Sequence, residues 1–169
     1  METHLDKKFY VPSIEEFFVG FEFEHKDPCY DGREEFQKAI VESDNLVRYP
    51  DENGMFNYWE AEHLLSNILY DIKENNIRVK YLDTSDIESI IHINNNSFSI
   101  KFKLTSITEN ELIFQTYWIE ENEFLDEEYI YWDMKYNQIK ITHKSKTLFY
   151  GFIKNKSEFK KVLNMLNIK

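Results

Sequence analysis

Apolar and polar residues alternate over most of the C-terminal half of the chain. The alternation predicts six β-strands, at residues 90–93, 98–104, 111–119, 129–134, 138–143 and 147–154. Most of the segments between them are short and rich in Asn and Ser, which favour turns. Because short connections join antiparallel neighbours, the pattern predicts a meander in which consecutive strands pair.

Two helices are predicted beside these strands. Between 57 and 75, apolar residues recur at steps of three and four, and Asn57 is suited to cap the start of this principal helix. A terminal helix follows Asn155, which lies three residues before Glu158 as in a capping box. Further strands are predicted at 18–24, 36–42 and 77–82.

These elements predict an α+β fold, with a curved antiparallel β-sheet or open barrel of about six to eight strands, one long helix and a C-terminal helix. The chain has 169 residues and no linker-like segment, so a single domain over 1–169 is expected. Hydrophobic residues make up 42% and aromatic residues 17%, which supplies a core and argues against disorder. With only 4 Gly, a glycine-rich nucleotide-binding loop is disfavoured.

The net charge of −11 narrows the class of partner. Repulsion from phosphate opposes generic binding of DNA or RNA, and a basic protein is the better expectation. The single cysteine, Cys29, cannot form an intrachain disulfide, which is typical of a reducing compartment. No apolar run is long enough for a signal peptide or a membrane span, so we expect the protein in the cytoplasm.

The charges are segregated along the chain. Residues 104–134 contain nine acids and no Lys or Arg, whereas residues 135–169 contain nine Lys and one acid. One interpretation is that these are solvated faces and turns, with lysines that keep the protein soluble. The other is that the acidic segment is a docking surface for a cationic groove on another protein.

Candidate catalytic and metal-binding groups are sparse. The segment 60–63 supplies a single Glu-x-x-His motif, whereas di-iron carboxylate proteins need two such motifs on a four-helix core. Glu22 and Glu24 lie two residues apart on one strand, a spacing that 31 acids produce by chance. Cys29 lies four residues after His25 but in no nucleophile motif. We therefore expect no metal, no cofactor and no catalysis.

Aromatic residues crowd the central predicted strands. Such surfaces stack nucleic-acid bases in OB-folds and RNA-recognition motifs. Here they lie inside the acidic segment, where phosphate is repelled, so the sequence favours packing in the core. The aromatic residues concerned are Phe114, Tyr117, Trp118, Tyr129, Tyr131 and Trp132.

The segment 120–128 is the strongest candidate for a partner-binding surface. An apolar pair stands among six carboxylates, and an aromatic anchor within a charged rim is the composition of a protein-binding hot spot. The alternative is a hairpin tip whose Phe124 folds back onto the sheet. The candidate partner-binding residues are Glu120, Glu121, Glu123, Phe124, Leu125, Asp126, Glu127 and Glu128.

Three segments of the chain resemble small, acidic, largely uncharacterised proteins of Bacteroidetes phages and prophages. The matching residues are 9–17 leading into 19–24, then 78–83 with 86–89, and 151–158. Such proteins typically carry a small polar residue or His ahead of Val-Gly-Phe-Glu, where this chain has Phe18. The resemblance implies a mobile-element origin, and mobile elements often encode inhibitors of host defence.

Three functions follow as hypotheses. The first is a non-enzymatic phage or prophage anti-defence protein, an anti-CRISPR inhibitor whose acidic surface binds a CRISPR effector or other host nuclease and blocks or misdirects its guide RNA or target. The second is a small hydrolytic enzyme or ligand-binding domain that uses a carboxylate pair with His25 or His63 nearby. The third is a module that contacts RNA at its edge through the C-terminal lysines Lys154, Lys156, Lys160 and Lys161.

Overall fold

The protein is described here by a computed structural model, which places residues 8–26, 35–43, 46–50, 56–59, 64–93 and 98–168. Its internal contacts divide the chain into two compact units, one from Lys7 to Tyr81 and the other containing everything from Leu82 onward. The expectation of a single domain over 1–169 stays a prediction.

The C-terminal unit is built on a six-stranded antiparallel sheet. Its strands are β7 (Ile91–Ile93), β8 (Ser99–Ile107), β9 (Glu111–Trp118), β10 (Glu123–Asp133), β11 (Gln138–His143) and β12 (Lys146–Gly151). Every strand pairs with its neighbours in the sequence, so the order across the sheet is β12-β11-β10-β9-β8-β7. This confirms the predicted meander.

Helices α2 (Thr84–Glu88) and α3 (Lys156–Met165) belong to the same unit. The side chain of Asn155 accepts a hydrogen bond of 2.9 Å from the backbone N–H of Glu158, which confirms the predicted N-cap of α3. Phe159 and Leu163 of α3 are fully buried in one cluster with residues from β8 to β11. The helix therefore covers one face of the sheet, as its apolar spacing predicts.

The N-terminal unit contains a second six-stranded antiparallel sheet and, among its described residues, one α-helix. The elements are β1 (Phe9–Tyr10), a 3-10 turn (Ile14–Glu16), β2 (Glu22–His25), β3 (Gln37–Ser43), β4 (Leu46–Pro50), β5 (Phe56–Trp59), α1 (Leu64–Lys73) and β6 (Ile77–Lys80). The order across the sheet is β1-β6-β2-β3-β4-β5, and the buried cluster of the unit includes Phe21, Phe23, Ile68 and Ile77.

Two sequence predictions for this unit are wrong in their boundaries. Residues 56–59 form β5, in which Asn57 pairs with Tyr49 and does not cap a helix, and the described helix covers only Leu64–Lys73. The predicted strand over 18–24 begins only at Glu22, because Gly20 adopts a φ of +92° in a turn. That turn is closed by a 2.8 Å hydrogen bond from Phe21 N–H to the Phe18 carbonyl.

The α+β class with antiparallel sheets and a C-terminal helix is confirmed. The predicted strand count matches the C-terminal sheet, while the N-terminal strands form a sheet of their own. Within the described ranges neither sheet closes into a barrel. No helix among these residues is long and apolar enough to cross a membrane.

Candidate functional site

The predicted partner-binding residues lie on the hairpin formed by β9 and β10, which we call the acidic hairpin (residues 118–128). Its turn contains only residues 119–122, with Asn122 at a φ of +58°, a conformation that Asn tolerates better than most residues. Residues 123–128 belong to strand β10. The connection is thus a short turn, and most of the candidate residues are held on a strand.

A large bulge separates the tip of the acidic hairpin from the rest of β10. Phe124 lies opposite Tyr117 and Tyr129 lies opposite Gln115, so residues 125–128 all face the single residue Thr116. The Thr116 hydroxyl accepts a 3.3 Å hydrogen bond from the Glu128 N–H and lies 3.2 Å from the Leu125 carbonyl oxygen. Gln115 Nε2 donates to that carbonyl at 3.1 Å. These bonds fix the conformation of the bulge.

Phe124 is held in place and yet remains accessible. Its ring packs edge-on against Tyr117, with centroids 5.1 Å apart, and the Lys103 ammonium lies 5.7 Å from its centroid. The Tyr117 hydroxyl donates to the side-chain oxygen of Asn122 across the turn. Even so, 42% of Phe124 is exposed. The ring folds back on the sheet, as one interpretation of the sequence had it, without being buried there.

The carboxylates around Phe124 are mostly exposed. Within the described part of the chain, no lysine or arginine forms an ion pair with Glu121, Glu123 or Glu127. Glu120 accepts a hydrogen bond of 3.0 Å from the Ser99 backbone N–H. A hydrogen bond to the Ser99 side chain holds the pKa of Glu120 below its ordinary value. Glu120 therefore carries negative charge at neutral pH.

Asp126 and Glu128 have partners within the sheet. The Tyr129 hydroxyl donates a 2.7 Å hydrogen bond to Asp126, and this bond raises the pKa of Tyr129. Glu128 is half-buried, and its Oε1 lies 3.0 Å from Nδ1 of His143 on β11. Glu128 is thus part of the sheet's internal structure, while the other acids face outward.

The structure separates the carboxylate pair from its proposed histidine. Glu24 pairs with Arg78, with Oε2 2.6 Å from Nε. His25 is only 5% exposed on the opposite, buried side of β2, where its Nε2 lies 3.2 Å from Asp71 Oδ2. The arrangement proposed for a hydrolytic site, with His25 beside Glu22 and Glu24, does not form.

The remaining candidates for chemistry give no assembled site in the described ranges. Cys29 and the segment 60–63, with His63, lie outside the described residues. Among the residues that are described, no three His, Cys, Asp or Glu side chains are grouped as ligands for a metal ion.

The C-terminal lysines are distributed over α3 and the segment before it. Lys156 donates a 2.8 Å hydrogen bond to Ser89, and Lys154 and Lys160 also have interactions within the protein. Lys161 is exposed but likewise has an interaction. The proposed RNA-contacting edge therefore consists of lysines that already have partners.

The central aromatic residues separate onto the two faces of the C-terminal sheet. Phe114 and Trp132 are buried on the helix side, which confirms the packing role predicted for them. Tyr129 and Tyr131 point to the opposite side and are only half-buried. The alternation with a period of two along 129–132 already indicates that neighbouring aromatic residues lie on opposite faces of the strand. A count of aromatic residues does not show this.

We compared the chain with protein-family models, with curated proteins and with solved structures, and none of the three comparisons found a match.

Proposed function

We propose that this protein is a non-enzymatic anti-defence protein of a phage or prophage, which uses the acidic hairpin to bind a host protein that handles nucleic acid. The target class is a CRISPR effector nuclease in the host cytoplasm, whose guide RNA or target would be blocked or misdirected. The observation that carries the proposal is an accessible, preorganised Phe124 among the exposed carboxylates of a braced hairpin. The mobile-element origin rests on the resemblance of the three sequence segments.

The chemistry of such a target suits the hairpin. A channel that holds guide RNA and target must be positively charged, because it contacts the phosphate backbone. Carboxylates at the exposed tip of the hairpin can bind the same cationic side chains as phosphates. Phe124 then supplies apolar contact at the centre, where most binding energy in an interface is concentrated.

Preorganisation supports tight binding by this surface. The Thr116 and Gln115 hydrogen bonds already order the bulge, so association costs less conformational entropy than the ordering of a free loop. Carboxylates that are charged in the free protein also steer the encounter with a basic surface.

The test is inhibition of purified CRISPR effector nucleases, loaded and unloaded with guide RNA. Replacing Glu121, Glu123 and Glu127 together with Lys should abolish both binding and inhibition of target cleavage. The Phe124→Ala variant should bind more weakly by about thirtyfold or more while keeping the charge, as expected for an interface hot spot of about 2 kcal/mol or more.

A matched control changes the net charge equally at other places. Glu35, Glu74 and Glu109 are also exposed, and their simultaneous replacement by Lys should leave binding and inhibition intact. If both triple variants lose inhibition alike, net charge and not the hairpin would account for the effect. Inhibition that survives the hairpin substitutions would refute the proposal.

The rate of association gives a second readout. Because the attraction is between unlike charges at a surface, the association rate of the wild-type protein should fall as salt is raised from low to physiological ionic strength. The hairpin triple variant should show little of this dependence.

A further inference from the structure

The face of the C-terminal sheet opposite the helices carries tyrosines beside lysines. Cross-strand register places Tyr131, Lys140 and Tyr150 side by side on three adjacent strands. One row away, Lys103 and Tyr129 flank Gln115 on β9. We call Lys103, Tyr129, Tyr131, Lys140 and Tyr150 the tyrosine–lysine face.

This face lies away from the core of its unit. The residues that alternate with it, such as Ile130, Trp132, Ile139 and Ile141, are fully or almost fully buried in the cluster that contains α3. No described helix of the C-terminal unit packs on the tyrosine side, since α2 and α3 contribute to that same cluster. Tyr150 is 64% exposed, and the other members of the face are half-buried.

The geometry points to a binding surface for single-stranded nucleic acid. The rings of Tyr129 and Tyr131 stack on each other on this side of β10, lying 26° from parallel with centroids 6.1 Å apart. The Lys140 ammonium lies over the Tyr131 ring, 5.2 Å from its centroid, so it must move aside for a base to stack there and can then bind the adjacent phosphate. Exposed aromatic rings on an open antiparallel sheet stack bases, while adjacent cations bind the backbone.

The alternation of ring and cation favours this ligand over an acidic peptide. A nucleotide offers a flat base and a negative phosphate in each repeat, and both find a partner in the Tyr131, Lys140 and Tyr150 row. A duplex hides its bases in the stack and cannot use the rings. Because the whole protein has a charge of −11, general attraction to nucleic acid is absent, and any binding must come from a local surface.

The test measures fluorescence anisotropy of labelled oligouridine and oligodeoxyuridine of about ten nucleotides with the full chain at low salt. Tyr150→Ala and Tyr131→Ala should each weaken binding about tenfold, as expected for the loss of one stacked base. Tyr131→Phe should retain affinity, because stacking needs the ring alone. With two lysines at phosphates, the logarithm of the affinity should fall with the logarithm of salt concentration with a slope of roughly −1.4.

The β10–β11 turn provides a matched control. Lys135 lies 5.1 Å from the ring centroid of Tyr136, which is 64% exposed, so this pair has the same chemistry outside the face. Replacing both with Ala should leave binding unchanged. Tyr150 is as exposed as Tyr136, so its substitution tests the face without disturbing the fold.

Three results would overturn the inference. The first is that Tyr150→Ala and a correctly folded Tyr131→Ala both bind the oligonucleotide as tightly as wild type. The second is that a duplex of the same length competes as well as the single strand. The third is that polyglutamate displaces the probe as effectively as unlabelled oligonucleotide does. A preference for oligouridine over oligodeoxyuridine, which differ only in the 2′-hydroxyl, would identify RNA as the source of the ligand, and the reverse would identify DNA. The triple variant Glu121→Lys, Glu123→Lys and Glu127→Lys should still bind the oligonucleotide. This inference and the proposed function can therefore fail separately.

Discussion

Replacing Thr116 with Val should destabilise the protein by about 1–3 kcal/mol. The substitution keeps the shape of the side chain and removes its hydroxyl. Thr116 is only 1% exposed, and its hydroxyl forms hydrogen bonds with the backbone of the bulge. The Glu128 N–H then has no acceptor at that position, and an unsatisfied buried donor costs about this much. Since 1 kcal/mol shifts the Tm of a chain of this size by roughly 2–4 °C, we expect a fall of about 2–12 °C.

Urea unfolding followed by circular dichroism measures the change, and the midpoint should fall without a change in slope. Amide hydrogen exchange should report the local effect, with the Glu128 N–H losing protection before the amides of β11. The control is Thr105→Val, because the Thr105 hydroxyl donates to the Ile113 carbonyl at 3.1 Å but Thr105 is exposed. This control should stay within about 0.5 kcal/mol of wild type. If the two variants are equally stable, Thr116 does not hold the bulge.

Three further predictions concern the two cores and the charge of the hairpin. Phe159→Ala should cost about 3–5 kcal/mol in urea unfolding, because the ring is fully buried, and a loss under 1 kcal/mol would contradict its place in the core. Asp71→Ala should cost about 1–3 kcal/mol in the same assay, because buried His25 and the side-chain amide of Asn76 each lose a hydrogen-bond acceptor. An unchanged midpoint would count against these two contacts. Glu120 has a pKa lowered from 4.5, so its stabilising effect is present above pH 4.5 and is lost as the pH falls through the lower folded-state value. Ser99→Ala should return that pKa toward 4.5 in an NMR titration, and a titration unchanged by the substitution would exclude this hydrogen bond as the cause.

The C-terminal unit was largely predictable because its strands alternate cleanly and are joined in sequence order. The α3 boundary could be predicted from Asn155 and Glu158, whose side chains act within one turn of the chain. The bulge at residues 125–128 could not, because it depends on Thr116 and Gln115 of the preceding strand. A side-chain hydrogen bond between two strands cannot be predicted from the pattern of apolar and polar residues in either strand.

The N-terminal unit was harder to predict because its strands are short. Residues 56–59 contain apolar residues that fit a period of two as well as the period of the helix that follows, so the sequence pattern merged β5 with α1. Contacts between side chains that are distant in sequence could not be predicted either, and Arg78 is an example. Its guanidinium lies 4.0 Å and 3.9 Å from the ring centroids of Phe9 and Phe36, two residues far from it in sequence.

The segregation of charge along the sequence becomes a spatial pattern because the meander keeps sequence order. Strand β10 carries five acids, whereas β11 and β12 on one side of it and β8 on the other carry lysines and no acid. The sheet therefore bears a central negative stripe between positive strands. A rigid partner with a single cationic ridge fits this stripe in one lateral position, because a sideways shift brings like charges together.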